Sequence, residues 1–440
     1  MRQATAPGQG ELRQVAGASL LLVGAGGVAG LLNLLFNVVV ARQGGASDYG
    51  AIGPLLTLVT VVGLVATGFQ YVIARQAAVS SRGPAHLLGP AFRSVLPWAA
   101  AATLLAVLSW PLSGFLRLHS PVPVLLVAAL ATLSVLGAAV SGLLVGFRRF
   151  KVIGALGVGA AVLRLGLGFL VGHGSGTVTL SLIASLAAVA ASFLAGLLVL
   201  TITARSFKAS PSRSAADTAK ERSGRAGIVG ALIAGALWTT WGLPVLFARH
   251  TLDAGLAGDF AASQLLAGAL VWGTAPIVTA FFPTIARHRT RRTFLYGELA
   301  TLLIALLGSV GLTALGPLMV GHLYGPGFTG SRSVLVMLAI SATATACATF
   351  AAWAAMAGSI HLGGVLASLG VAVASEVLWD ALVARGPITL ALAPMAALCI
   401  GATTFLLFVR RMAPDLDASP NRSADSLAST LAPERVGTEP

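Results

Sequence analysis

Stretches of about 20 apolar residues follow one another almost end to end along this chain, and each is long enough to cross a hydrocarbon core of about 30 Å as a helix. The first runs from Gly17 to Ala41 and the last from Ile388 to Val409. Inside a bilayer every backbone N–H and C=O must be satisfied by a helix or a closed barrel. The alternating ten-residue strands of a membrane barrel are not found in the sequence. The pattern therefore predicts an all-α integral membrane protein of about twelve transmembrane helices. Composition agrees: 56% of the 440 residues are hydrophobic and 10% are charged, against roughly 25% charged in a soluble domain.

Polar interruptions divide the chain. Spans two to six are expected near Gly50–Ala74, from Ser94 onward, Val122–Gly146, Val152–Val171 and Leu180–Ala204. The longest internal polar stretch, RSFKASPSRSAADTAKERSGR, follows. Spans seven to twelve then begin near Ala226, Phe260, Phe294, the residues after GPLMVGHLYGPGFTGSR, Leu362 and Ile388. The expected organisation is an N-terminal six-helix lobe (1-204), a cytoplasmic linker (205-225), a C-terminal six-helix lobe (226-411) and a disordered cytoplasmic tail (412-440). The N-terminal segment carries Arg2 and Arg13 like a signal peptide, but the apolar run after it is too long for one, so the first helix is read as uncleaved.

Arginines set the orientation. One set of loops holds Arg75, Arg82, Arg93, Arg148, Arg149, Lys151, the linker cations, Arg287 to Arg292, Arg410 and Arg411; the other holds Arg42, Arg117, Arg249, Arg332 and Arg385. The positive-inside rule puts both termini and the linker in the cytoplasm, for a multi-pass protein of the cell (inner or plasma) membrane. The net charge of +14 is then topological and calls for no nucleic-acid partner, although basic loops also favour anionic membrane lipids. Cys347 and Cys399 fall inside apolar runs and read as small buried side chains, not as a disulfide or a metal site.

The two halves begin alike. Span one ends in Ala41-Arg42-Gln43 before a turn with Asp48-Tyr49-Gly50, and span seven ends in Ala248-Arg249-His250 before Gly258-Asp259-Phe260. Spans two and eight end in Ile73-Ala74-Arg75-Gln76 and Ile285-Ala286-Arg287-His288. Alanine-rich helices often end in arginine, but matched positions in two hairpins point to a duplicated six-helix unit, with a pseudo-two-fold along the membrane normal.

The opening span with Asn33 and Asn37, the VVARQGGASDYGAI turn, the FFPTIARHR end of span eight and the GHLYGPGF stretch resemble polysaccharide and lipid-linked oligosaccharide flippases (Wzx-type) of the multidrug/oligosaccharidyl-lipid/polysaccharide exporter (MOP) superfamily. The resemblance runs from Leu20 to Arg411. It implies two lobes around a central cavity, as in multidrug (MATE) exporters and lipid flippases. It also implies movement of a polyprenyl-pyrophosphate-linked glycan from the inner to the outer leaflet by alternating access, for cell-surface polysaccharide biosynthesis. A polysaccharide polymerase or glycosyltransferases would be partners. Lipid II flippases carry arginines within the first helix, whereas span one has none before Arg42, which favours a polysaccharide substrate.

A charge in the middle of a membrane helix costs a few kcal/mol, so each embedded one is a functional candidate. Arg164, deep in span five, could hold a pyrophosphate in its planar fork, or could be a structural arginine bonded to helix carbonyls. Glu376 and Asp380 share a face of span eleven at i, i+4; they could take a coupling proton or sodium ion or pair with an arginine, unless Asp380 simply faces water. Asn33 and Asn37 could bond sugar hydroxyls or glue helices together, the commoner role. Gln70, Tyr71, Gln264 and the tryptophans Trp238, Trp241 and Trp272 offer amide and aromatic surfaces for sugars, although tryptophans near span ends are more often interface anchors. Glu298, close to RHRTRR, reads as half of a salt bridge.

Two other classes compete. A cation-coupled multidrug exporter needs embedded acids, and the N-terminal half offers only Glu11 and Asp48, neither embedded. A polyprenyl-dependent membrane glycosyltransferase needs a long external loop, and the loop holding Asp48 is a handful of residues. With no GxxxxGK[ST], HExxH or nucleophile-elbow motif, no catalytic residue, metal or cofactor is assigned, and the chain is read as a non-enzymatic transporter.

Overall fold

The computed structural model describes residues 9–80, 83–171, 176–206, 217–288, 291–325, 327–358 and 362–416, and no strand occurs among them. The helices are α1 (Gln9–Val79), α2 (Pro84–Thr103), α3 (Ser109–Phe115), α4 (Val122–Gly146), α5 (Phe150–Phe169), α6 (Thr177–Ser206), α7 (Asp217–Thr251), α8 (Ala254–His288), α9 (Arg291–Tyr324), α10 (Arg332–Gly358), α11 (Leu362–Leu382) and α12 (Pro387–Leu416).

At 71 residues, a straight α1 would reach about 105 Å at 1.5 Å per residue, some three hydrocarbon thicknesses. Instead it folds back. Gly45 sits at φ 70, ψ −178, outside helical geometry, a conformation that glycine adopts without a Cβ clash. The Tyr49 hydroxyl donates to Oδ1 of Asn37 at 3.2 Å, a pair that straight helix would hold roughly 18 Å apart. Hence α1 is a hairpin whose two arms are the first two expected spans.

Nine helices among the described residues are long and apolar enough to span, or ten if α2 and α3, bent by 57° to one another, form one broken span. The first of these, Gly24–Ala78, is the hairpin and makes two passes, and the apolar stretch Pro387–Ala402 of α12 is a shorter addition. The all-helical membrane architecture read from the sequence is thus the one observed.

The first arm of α1 packs on α5 and the second on α4, α4 packs on α2 and α6, and α5 packs on α6. In the second half α8, α9 and α10 pack in turn, α12 lies against α10 and α11, and α11 lies against α7. Phe69, Val95 and Leu143 centre one apolar core. A second core joins the halves, since Val38, Ala41 and Tyr49 of α1 pack with Val245, Phe260, Tyr324 and Leu335. Gly258 of α8 lies so close to α1 that a side chain there would run into the Ala46 carbonyl.

Two expected boundaries move. The helix α7 begins at Asp217, so residues 217–225 of the expected linker are helical. The sequence of that stretch, with Ala, Lys, Glu and Arg in it, favours helix. Likewise α12 runs on to Leu416, past the expected end at 411.

Candidate functional site

Arg164 lies on α5 and crosses its own half to reach two other helices. Its Nε donates to the Ser185 hydroxyl of α6 at 2.9 Å and its Nη1 to Oδ1 of Asn33 on α1 at 3.0 Å. The guanidinium carbon stands 4.1 Å from the centre of the Phe36 ring, a cation–π distance. No carboxylate pairs with it among the described residues, so all its contacts are neutral. The side chain is half-buried, with part of its surface open.

Neutral groups continue away from it along α1. Asn37 Nδ2 donates to the Asn33 carbonyl at 2.8 Å, and its Oδ1 accepts from Tyr49. Tyr49 in turn packs against Tyr324 and Phe328 of the second half, with ring centres 5.8 and 6.1 Å away. The two asparagines therefore act at once as helix glue and as part of a polar line from Arg164 to the contact between halves.

Between α1, α4, α5 and α6 lies a cavity of about 330 Å³, bordered by Gln70, Thr67, Ser141, Gly157, Ala160 and Ser192. Arg164 is one helical turn beyond Ala160 on the same face of α5, and Ser185 is one turn before Val189, another lining residue. Gln70 and Arg164 are thus brought to one side of the first half. Tyr71 follows Gln70 on α1, with its side chain outside the described residues.

Gln264 is not part of this group. It is 3% exposed on α8, and its Nε2 donates to the Trp241 carbonyl of α7, so its amide ties two neighbouring helices. Trp238 and Trp272 pack against one another with ring centres 4.6 Å apart and planes tilted by 32°.

Glu376 and Asp380, on α11, are 0% and 1% exposed. The alternative that Asp380 faces water is therefore corrected: it is buried, on a helix that packs against α7 and α12. None of the four carboxylate oxygens has a hydrogen-bond partner, and no arginine pairs with them among the described residues. Among the described residues, the neighbouring helices thus supply no compensation for the two buried acids. The salt bridge expected of Glu298 falls on arginines whose side chains lie outside the described residues; among the described residues Glu298 lies beside Cys347 of α10, and its Oε2 is buried without a hydrogen-bond partner. Cys399 is exposed, not buried.

Sequence reasoning treated Arg42 and Arg249 as helix stops, yet both reach across the molecule. Arg42 Nε donates to the Leu323 carbonyl at 2.6 Å, and its Nη2 to that of His322. Arg249 Nε donates to the Leu116 carbonyl at 3.0 Å and its Nη2 to that of Arg117 at 3.4 Å. The paired Ala-Arg motifs in the sequence were the signal that could have found them.

No protein-family model matches the chain, and no curated protein matches it. Solved structures do resemble it in fold. An inward-facing multidrug resistance MATE family transporter of the MOP superfamily superposes with a TM-score of 0.66 at 16% identity, over 89% of this chain and 96% of that one. The lipid II flippase MurJ, in an inward closed conformation, gives 0.64 at 14% identity over 89% and 87%. An outward-facing MATE transporter gives 0.61 at 14% identity over 91% and 96%. The chain thus has the fold of MOP-superfamily transporters.

Proposed function

We propose that the protein is a flippase that carries a polyprenyl-pyrophosphate-linked oligosaccharide from the inner to the outer leaflet of the cell membrane by alternating access, for cell-surface polysaccharide synthesis. One observation carries the reading: among the described residues, Arg164 is a deep cation held by neutral groups beside a cavity, with no acid paired to it. Such a guanidinium keeps donors and charge for an anion. A cation substrate would meet an uncompensated like charge there.

In this reading the pyrophosphate engages Arg164, and Asn33 and Gln70 border the path of the first sugars. Glu376 and Asp380 take up the coupling proton or monovalent cation, whose charge their unpartnered oxygens would balance. Both termini lie in the cytoplasm, so the end of the bundle holding Arg42, Arg117 and Arg249 faces outward. It is the shut end in this structure, which fits the likeness to inward conformations. The protein performs no covalent chemistry and works beside a polymerase or glycosyltransferases.

A cation-coupled multidrug exporter is the second reading, favoured by the buried pair on α11. Reconstitution separates the two. In proteoliposomes the wild type should bring a lipid-linked oligosaccharide to the outer leaflet, where an added lectin captures it. Efflux of a lipophilic cation with no glycan translocation would replace the first reading by the second.

A further inference from the structure

The contacts of Arg42 and Arg249 are copies of one another. Each arginine ends the first pass of its half, at Ala41-Arg42 and Ala248-Arg249. Each then donates to two successive carbonyls at the end of the third pass of the opposite half: His322 and Leu323 on α9 for Arg42, and Leu116 and Arg117 at the end of α3 for Arg249. The acceptors are also alike. Both helices close with a residue in the left-handed region, Arg117 at φ 51 and Gly325 at φ 98, which turns the chain away and leaves the last carbonyls open to an outside donor.

A guanidinium is suited to that position. It brings a positive charge to the negative end of a helix dipole and supplies parallel N–H groups for two carbonyls. Further ties gather at the Arg249 side: Arg117 Nη1 donates to the Leu252 carbonyl at 3.3 Å, and the His250 ring stacks on Phe115 with centres 4.3 Å apart. Between the two arginines the halves meet backbone to backbone, where Gly258 lies against Ala46 and Gly50 against Ala254. All of these contacts lie at one end of the bundle.

We propose that Arg42 and Arg249 are two pseudo-equivalent latches that hold this end shut, and that both must release their helix-end carbonyls before the halves separate to the outside. The duplicated unit thus carries a duplicated gate, each half supplying one arginine and one acceptor helix. The arrangement makes opening cooperative, because parting the halves breaks both latches together. This inference rests on the transport reading for its use, but not for its test.

The test is a distance measured without substrate. Spin labels are placed at His119→Cys and Ser331→Cys, exposed positions on the two halves, in a background of Cys347→Ala and Cys399→Ala. The protein with native arginines should give one short distance. The Arg42→Gln/Arg249→Gln double variant should add a longer population, each arginine shifting the ratio on the order of tenfold. Gly258→Val, which forces Ala46 away, should do the same by a separate route. Where the double variant does not reach the membrane, Arg42→Lys and Arg249→Lys, which keep charge but lose the fork, carry the test with smaller shifts. An unchanged distance distribution in the folded variants, even with a lowered melting temperature, overturns the latch and leaves the flippase reading standing. A shifted distribution in a protein that flips nothing supports the latch alone.

Discussion

The two halves share a framework but handle embedded charge in opposite ways. The first keeps one cation, Arg164, wrapped in a hydroxyl, an amide oxygen and an aromatic face. The second keeps a pair of acids, Glu376 and Asp380, whose four oxygens meet no donor among the described residues, unlike Asp259, which accepts from Thr329 and Gly330. A guanidinium solvated by neutral groups is a finished structure that can still add an anion. Two unpartnered carboxylates are complete only when a proton or cation joins them. Under the proposed function, the first half would meet the anionic substrate and the second the coupling ion.

The sharpest way to break this division is Arg164→Ala. Flipping in proteoliposomes should fall on the order of 100-fold with insertion unchanged, since two charged hydrogen bonds and the anion's counter-charge disappear together. Equal activity would remove Arg164 from the mechanism. Next in size are Glu376→Gln and Asp380→Asn. Each should slow transport on the order of tenfold and flatten its dependence on an imposed ion gradient, while leaving binding of the lipid-linked anion intact. Loss of binding instead would mean that the halves do not divide the work.

Asn33→Ala tests a finer point. It removes an acceptor from Arg164 and should weaken anion binding by about threefold to tenfold. Smaller still is Gln264→Ala. Losing one bond to the Trp241 carbonyl should cost about 1 kcal/mol of stability, read as a lower melting temperature, with transport unaffected. A transport defect at native stability would return Gln264 to the substrate path.

The sequence exposes some of these features plainly and hides others for physical reasons. Span positions were legible because hydrocarbon demands long apolar runs and leaves little choice of element. Arg164 was legible because a charge there is expensive. The turn at Gly44-Gly45 was legible as well, since two glycines and a following Asp mark a break in helix. The burial of Asp380 was not, because a residue near a helix end looks exposed until its helix is seen to pack against α7 and α12. Nor was the role of Arg42, whose acceptors are backbone carbonyls some 280 residues away; carbonyls carry no sequence signature, and only the repeat at Arg249 hinted at a shared task. The start of α7 was hidden because polar residues that form helix and polar residues that form linker share a composition.

The most direct test of the central claim is equilibrium binding of a short polyprenyl pyrophosphate to purified protein, with a lipophilic cation as competitor. The account predicts that the pyrophosphate binds the wild type, that Arg164→Gln weakens it at least about tenfold, that Glu376→Gln leaves it unchanged, and that the cation does not compete. Equal affinity of wild type and Arg164→Gln, or displacement of the pyrophosphate by the cation, would contradict it.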